Sequence, residues 1–181
     1  MQAADLSSNF FVLFGLPVSF DIDAEALAQR YREMQRAVHP DKFANASDTE
    51  RRLSVQMAAR INEAFRTLKD PLARGRYLLA LQGVEVDDTD TAFDSDFLMQ
   101  QMVLREQLGE VRDSADPHGQ LHEIAQDIDT RARALTAQMA QLLQKIDDAE
   151  ALQQAKQLTR KLQFFRRLEE EVEALEDELA G

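Results

Sequence analysis

Apolar residues recur every three or four positions along most of this chain, and little interrupts them. Leu121, Ile124, Ile128, Leu135, Met139, Leu142 and Ile146 step by 3, 4, 7, 4, 3 and 4. Leu158, Leu162, Phe165, Leu168, Val172, Leu175 and Leu179 carry the same rhythm to the C-terminus. A strand would alternate with period two, so these are seams of bundled helices. With 6 Gly and 4 Pro in 181 residues, turn chemistry is too scarce for a sheet protein. One helix from 118 to 179 would be about 90 Å long, so a break near Asp147-Asp148 is expected. Asp94 or Ser95 caps a preceding helix running to about Ser114, and Asp116-Pro117 opens the next. Three antiparallel helices result.

The N-terminal part reads as a helical hairpin. Asn9 to Phe14 is a short apolar helix ended by Gly15-Leu16-Pro17. Asp23 caps a helix from Ala24 to about Val38, with Leu27, Tyr31, Met34 and Val38 on one face and Arg32 and Arg36 opposite, flanked by Arg30. Pro40 disfavours helical backbone at His39 and ends it. Ser47-Asp48-Thr49-Glu50 is a capping box for the next helix, whose apolar stripe is Leu53, Met57, Ile61, Ala64 and Leu68. Asp70-Pro71 stops it and starts a shorter one. Two stripes of matching length joined by about ten residues make an αα-hairpin.

Charge divides the chain in the same place. Residues 1–76 hold 11 Lys+Arg and 10 Asp+Glu, a net of +1; residues 77–181 hold 10 and 23, a net of −13. Gly83 and the acidic stretch Val84 to Thr91 separate the halves, so a hinge is expected there, within a linker at 83–94 between units at 1–82 and 95–181. The absence of Cys removes disulfides, thiolate metal sites and thiol catalysis. A net charge of −12 argues against nucleic acid, and the apolar runs are too interrupted for a membrane span. Met1 to Asn9 lacks the features of a signal peptide, which points to a soluble, cytoplasmic protein.

The chemistry concentrates at His39-Pro40-Asp41-Lys42-Phe43, a proline-bent corner with a donor and an acceptor, set between an arginine-faced helix and a capped one. Structurally, His39 would merely end a helix while Asp41 makes a turn. With Phe10 to Leu16, Tyr31-Arg32 and Ile61 to Pro71, however, this corner makes the stretch from Phe10 to Leu79 similar to a J-domain, the module that activates the ATPase of seventy-kilodalton heat-shock chaperones. Arg74-Gly75-Arg76-Tyr77-Leu78-Leu79, the acidic linker and Asp96 to Leu108 then give a chain that, over nearly its whole length, resembles the HscB-type co-chaperones of iron–sulfur cluster biogenesis.

That resemblance implies an all-α protein, a J-domain with short flanking helices followed by a three-helix antiparallel bundle, L-shaped or elongated overall. It implies that Arg30, Arg32, Arg36 and Lys42 dock on an acidic surface of an HscA-like chaperone, where His39, Pro40 and Asp41 favour ATP hydrolysis by that partner. It also implies a bundle face for an IscU-like scaffold, formed by Leu98, Met99, Met102, Glu106 and Glu110, with Phe164 beside them. Leu98, Met102, Glu106 and Glu110 follow an i, i+4 stripe, although Leu98, Met99 and Met102 would also suit a bundle core. Phe165 has the phase of the core, which leaves Phe164 freer for the surface. Val103 stands where that family's pattern has an acid.

No cofactor and no catalysis by the chain itself is expected. His39 and Asp41 lack an accompanying nucleophile or phosphate loop. His118 and His122, four apart at a helix start, lack a third ligand and read as a polar face. A J-protein serving a different client is the alternative.

Overall fold

Each helix begins where a side chain can accept the free N–H groups of its first turn. In the computed structural model, which describes residues 8–43, 46–87 and 93–180, this yields seven α-helices and no strand among the described residues. They are α1 (Phe10–Leu13), α2 (Ala24–Ala37), α3 (Asp48–Lys69), α4 (Pro71–Leu81), α5 (Ser95–Glu110), α6 (Pro117–Leu142) and α7 (Ala149–Ala180). Asn9, Asp23, Asp70, Asp94 and Asp116 all accept first-turn N–H groups. Ser47 and Glu50 form the reciprocal capping box, and those bonds from Ser47 hold the Glu50 carboxyl below its ordinary value. No described helix is long and apolar enough to cross a membrane.

α2 and α3 form the hairpin. The Tyr31 hydroxyl donates to Asn62 Oδ1 at 2.9 Å, its ring stacks on Phe65 at 4.0 Å, and Gln35 also donates to Asn62. This register places the end of α2 opposite about residue 57, so the 22-residue α3 overruns the 14-residue α2. The expected matching lengths are therefore corrected, and so is the stripe. Leu53 lies in the overhang and is 46% exposed, whereas Ile61, Ala64 and Leu68 are buried. α1 closes the hairpin: Phe10 stacks on Tyr77 at 4.4 Å and donates its N–H to the Tyr77 hydroxyl, while Phe11 and Phe14 are buried.

α5, α6 and α7 form the bundle. The break between the last two falls at 143–148, around the expected Asp147-Asp148. The α6 seam holds through Leu121, Ile124, Ile128 and Met139, but Leu143 rather than Leu142 turns fully inward. A period of 3.6 residues drifts away from a heptad over such a length.

α7 is the spine shared by both halves. Towards its N-terminus, Leu152, Ala155 and Leu162 belong to the same buried cluster as Phe11, Leu27, Ile61 and Leu79; further along, Phe165, Leu168, Val172 and Leu175 form the bundle core. α6 contributes Met139 and Leu143 to the first cluster. Gly75 permits that approach, since a Cβ there would lie 2.8 Å from Met139 Sδ and Cε, in a site where Met139 is fully buried. Asp70 adds a polar clamp. While capping α4 it accepts from Arg166 of α7 through both oxygens, at 2.9 and 3.2 Å. Arg76 reaches Gln163 at 2.9 Å and the Val86 carbonyl at 3.4 Å.

The acidic linker expected at 83–94 and its hinge fall partly on 88–92, outside the described residues. Val84 and Val86 pack against the first cluster. At the far end, Phe93 lies under the Arg160 guanidinium at 4.6 Å, and Asp94 accepts from Lys161 of α7.

The Asp70–Arg166 joint predicts acid sensitivity. Burial raises the Asp70 carboxyl, but the Arg166 hydrogen bond and charge and the Leu72 and Ala73 N–H groups outweigh it, leaving a net fall below 3.8. Its stabilisation is therefore complete above the unfolded value near 3.8 and lost as pH falls through the lower folded value. Glu169 has the opposite sense, pushed up by burial and by Asp129, Glu173 and Asp70 against the pull of Arg166. The difference between wild type and Asp70→Asn isolates the joint. Urea titrations should show that difference at pH 7 shrinking below about pH 4, and Asp70→Ala should lose about 1–3 kcal/mol through cap and ion pair together. Gly75→Leu should lower the urea midpoint by overpacking against Met139, about 1–3 kcal/mol or more.

Candidate functional site

Two surfaces gather the residues singled out in the sequence. The first is the corner after α2. Arg30, Arg32, Arg36, His39, Asp41 and Lys42 are all exposed. Pro40–Phe43 forms a single 3-10 turn, with the Lys42 N–H donating to the His39 carbonyl at 3.0 Å. His39 Nδ1 lies 3.4 Å from both the Asp41 N–H nitrogen and Asp41 Oδ2. One ring nitrogen cannot accept from the amide and donate to the carboxylate together, so these are alternative states of a weak local contact. The His39 and Asp41 side chains are 58% and 89% accessible, leaving their hydrogen-bonding capacity for a partner.

The arginines do not form one uniform row. Arg30 folds back so that its guanidinium covers Gly15, whose φ of +58° lets the chain turn without strain. It therefore borders the α1–α2 connection, while Arg32 and Arg36 lie one turn apart on α2, leading towards the His39 corner. The arrangement suits steering and orientation of an acidic partner.

The second surface is the outer face of α5, and it is built by what lies beneath it. Phe97, Leu104, Leu108 and the following Val111 face inward. An ion pair holds each end of this segment to α7: Asp94–Lys161 at 2.6 Å before α5, and Arg112–Glu178 at 2.6 Å after it. The Lys161 hydrogen bond lowers the Asp94 carboxyl, and the Arg112 hydrogen bond lowers that of Glu178. With this side committed to the core, the other must face water. Leu98, Met99 and Met102 are 43%, 63% and 67% exposed, and Glu106 and Glu110 continue the row as an exposed acidic margin. The core alternative for the three apolar residues is thereby removed.

Phe164 is not where the sequence phase put it. It is 8% exposed, edge-on to Phe97 at 5.5 Å and to Phe165 at 5.5 Å, with Arg105 5.9 Å from its ring centre. α7 touches neighbours on more than one side, so adjacent residues 164 and 165 can both be buried. Phe164 supports α5 from behind rather than presenting a free ring. Val103, 44% exposed, joins the apolar patch in place of the acid expected there. Sequence reasoning missed this addition, and also the Asp94, Lys161, Arg112 and Glu178 clamps. The Asp94 cap was visible, but the ion pairs span 67 and 66 residues and carry no local signal.

His118 and His122 are not brought together with further ligands into a metal-binding group among the described residues, and His122 pairs with Gln126 at 2.8 Å.

Comparison with known proteins agrees with this architecture. Residues 93–173 match the family model described as the HSCB C-terminal oligomerisation domain. The chain is 48% identical over 172 residues to the co-chaperone protein HscB homolog of Shewanella halifaxensis, covering 94% of this chain and 98% of the relative. The Vibrio cholerae chaperone HscB structure is similar at 42% identity and a TM-score of 0.85, covering 95% of this chain and 99% of that one. The human co-chaperone protein HscB structure is similar at 32% identity and a TM-score of 0.88, covering 97% and 86% respectively.

The different burial of the two groups of side chains gives a direct test. Leu98→Ala with Met99→Ala should change the unfolding free energy by less than about 1 kcal/mol, since neither side chain is in the core. Phe164→Ala should cost about 3–5 kcal/mol. Equal losses in chemical denaturation would reverse the assignment of surface and core.

Proposed function

The chain belongs to the HscB family of co-chaperones, and on that premise we propose that it couples an ATP-driven chaperone to an iron–sulfur scaffold. The corner His39-Pro40-Asp41, with Lys42 and the α2 cations Arg30, Arg32 and Arg36, engages an HscA-like chaperone and stimulates its ATPase. The outer face of α5, with Leu98, Met99, Met102, Glu106 and Glu110, binds an IscU-like scaffold and delivers it to that chaperone. Phe164 assists by holding the face in place. The protein acts in the cytoplasm and performs no catalysis itself. The Shewanella halifaxensis and human relatives are named co-chaperones.

The observation that carries the scaffold reading is the exposure of three adjacent apolar side chains on a helix whose opposite side is fully committed to the core. A small soluble domain gains nothing in stability from exposing Leu98, Met99 and Met102 together, so a docking role accounts for the patch. An acidic margin at Glu106 and Glu110 favours a partner with a basic rim around an apolar centre. Binding chemistry at the other surface follows from the accessible donor and acceptor of His39 and Asp41, on a short turn whose backbone is already ordered. Little entropy remains to be lost there on docking. A chain without Cys cannot hold a cluster through thiolates, so the cluster stays on the scaffold.

The decisive measurement is ATP turnover by the chaperone with and without scaffold. Wild type should raise turnover and the scaffold should raise it further, while His39→Gln should lose most of the stimulation and remain folded. Leu98→Ala with Met99→Ala should keep the scaffold-independent part and weaken scaffold capture by about tenfold or more. Undiminished capture would assign the bundle to a different client.

A further inference from the structure

The chain has 6 Met and no Cys, so its redox-active sulfur is all thioether. The five described methionines are placed very differently. Met139 is fully buried, its sulfur 3.5 Å from the Thr159 hydroxyl, which donates to the Ala155 carbonyl at 2.8 Å. Met34 and Met57 are partly buried against the first core cluster. Met99 and Met102, 63% and 67% exposed, lie three residues apart on α5 and so neighbour each other on its outer face. The two most exposed methionines of the described chain thus sit side by side in the apolar patch.

We propose that Met99 and Met102 form an oxidation-sensitive site that turns the α5 docking face off under peroxide stress; the docking role itself rests on the function proposed above. A thioether lone pair attacks one oxygen of hydrogen peroxide. The S–O bond forms as the O–O bond breaks, and the proton of the transferred oxygen passes to the departing hydroxide. The sulfur loses two electrons to become a sulfoxide, and the peroxide is reduced to water. Reversal by a dithiol-dependent methionine sulfoxide reductase removes that oxygen as water and leaves a disulfide on the reductant.

The placement makes the change selective in effect as well as in rate. A sulfoxide is polar and strongly hydrated, so a partner that buries it must strip that water or supply a matching donor. The fold has no such difficulty, because both side chains already face water while Phe97, Leu104 and Leu108 hold α5 from the other side. Oxidation therefore acts on binding and leaves the bundle standing. Met139, in the shared core, is shielded from the reaction that would unfold the protein.

The test treats the full-length chain with hydrogen peroxide, removes the oxidant with catalase, and locates sulfoxides by peptide mass spectrometry over time. Binding to a purified IscU-type scaffold is measured by calorimetry, with circular dichroism as the check on folding. Met99 and Met102 should oxidise before Met34, Met57 and Met139. Scaffold affinity should fall about tenfold or more with an unchanged helical spectrum, and reductase treatment should restore it. Met99→Leu with Met102→Leu, compared only with itself before and after peroxide, should show no further loss. Oxidation spread evenly over the methionines, an affinity unmoved by sulfoxide at 99 and 102, or an equal loss in the double variant would each overturn the proposal. Failure of untreated protein to bind the scaffold would instead remove the docking role on which it rests.

Discussion

The close approach of α4 to α6 and α7 is the contact on which the rest of the molecule depends. It exists because Gly75 has no side chain where Met139 must lie, and because Asp70 serves two purposes with one carboxylate. The same group that starts α4 also receives Arg166 from the spine helix, so the local and the long-range structure are stabilised together. Around this polar clamp the apolar cluster runs without interruption from Phe11 and Leu79 to Leu152 and Leu162. Residues from both sides of the segment expected as a linker at 83–94 contribute to that first cluster.

A shared core has a functional consequence under the co-chaperone reading. The two surfaces proposed to meet different partners are joined through packed helices. α2 lies on α3, whose Ile61 shares a buried cluster with Leu152 of α7, and α5 rests on α7 through Phe97. On that proposal, chaperone and client are presented in a defined relation. Flexible tethering would raise the effective concentration of one partner near the other but leave their orientation free. A packed joint sets both. The charge asymmetry fits the same picture: α2 offers cations beside a nearly neutral unit, and the acid excess sits on the bundle and what leads into it.

Much of the local architecture was legible because capping and helical period are short-range signals. Asp23, Ser47 with Glu50, Asp70 before Pro71, Asp94 and Asp116 all begin helices where the sequence predicted, since a side-chain acceptor and the N–H groups it satisfies lie within three residues. The misplacements follow from neighbours that a single helix cannot reveal. Leu53 had the right phase but lies beyond the end of α2 and stays exposed. Leu142 gave way to Leu143 as the period drifted. Phe164 was assigned to the surface on the assumption that α7 has one apolar face, when it packs on several sides.

By itself, the sequence determined the fold class, the helix starts, the His39-Pro40-Asp41 corner and the family resemblance, because each depends on residues close together along the chain. Only the tertiary structure decided that Leu98, Met99, Met102 and Val103 face water while Phe164 does not, and that Gly75 and the Asp70–Arg166 pair join the two halves. Those outcomes depend on which helix lies against which. Burial is a property of a residue's surroundings, and here those surroundings come from segments up to about a hundred positions away, as with Asp70 and Arg166, 96 residues apart.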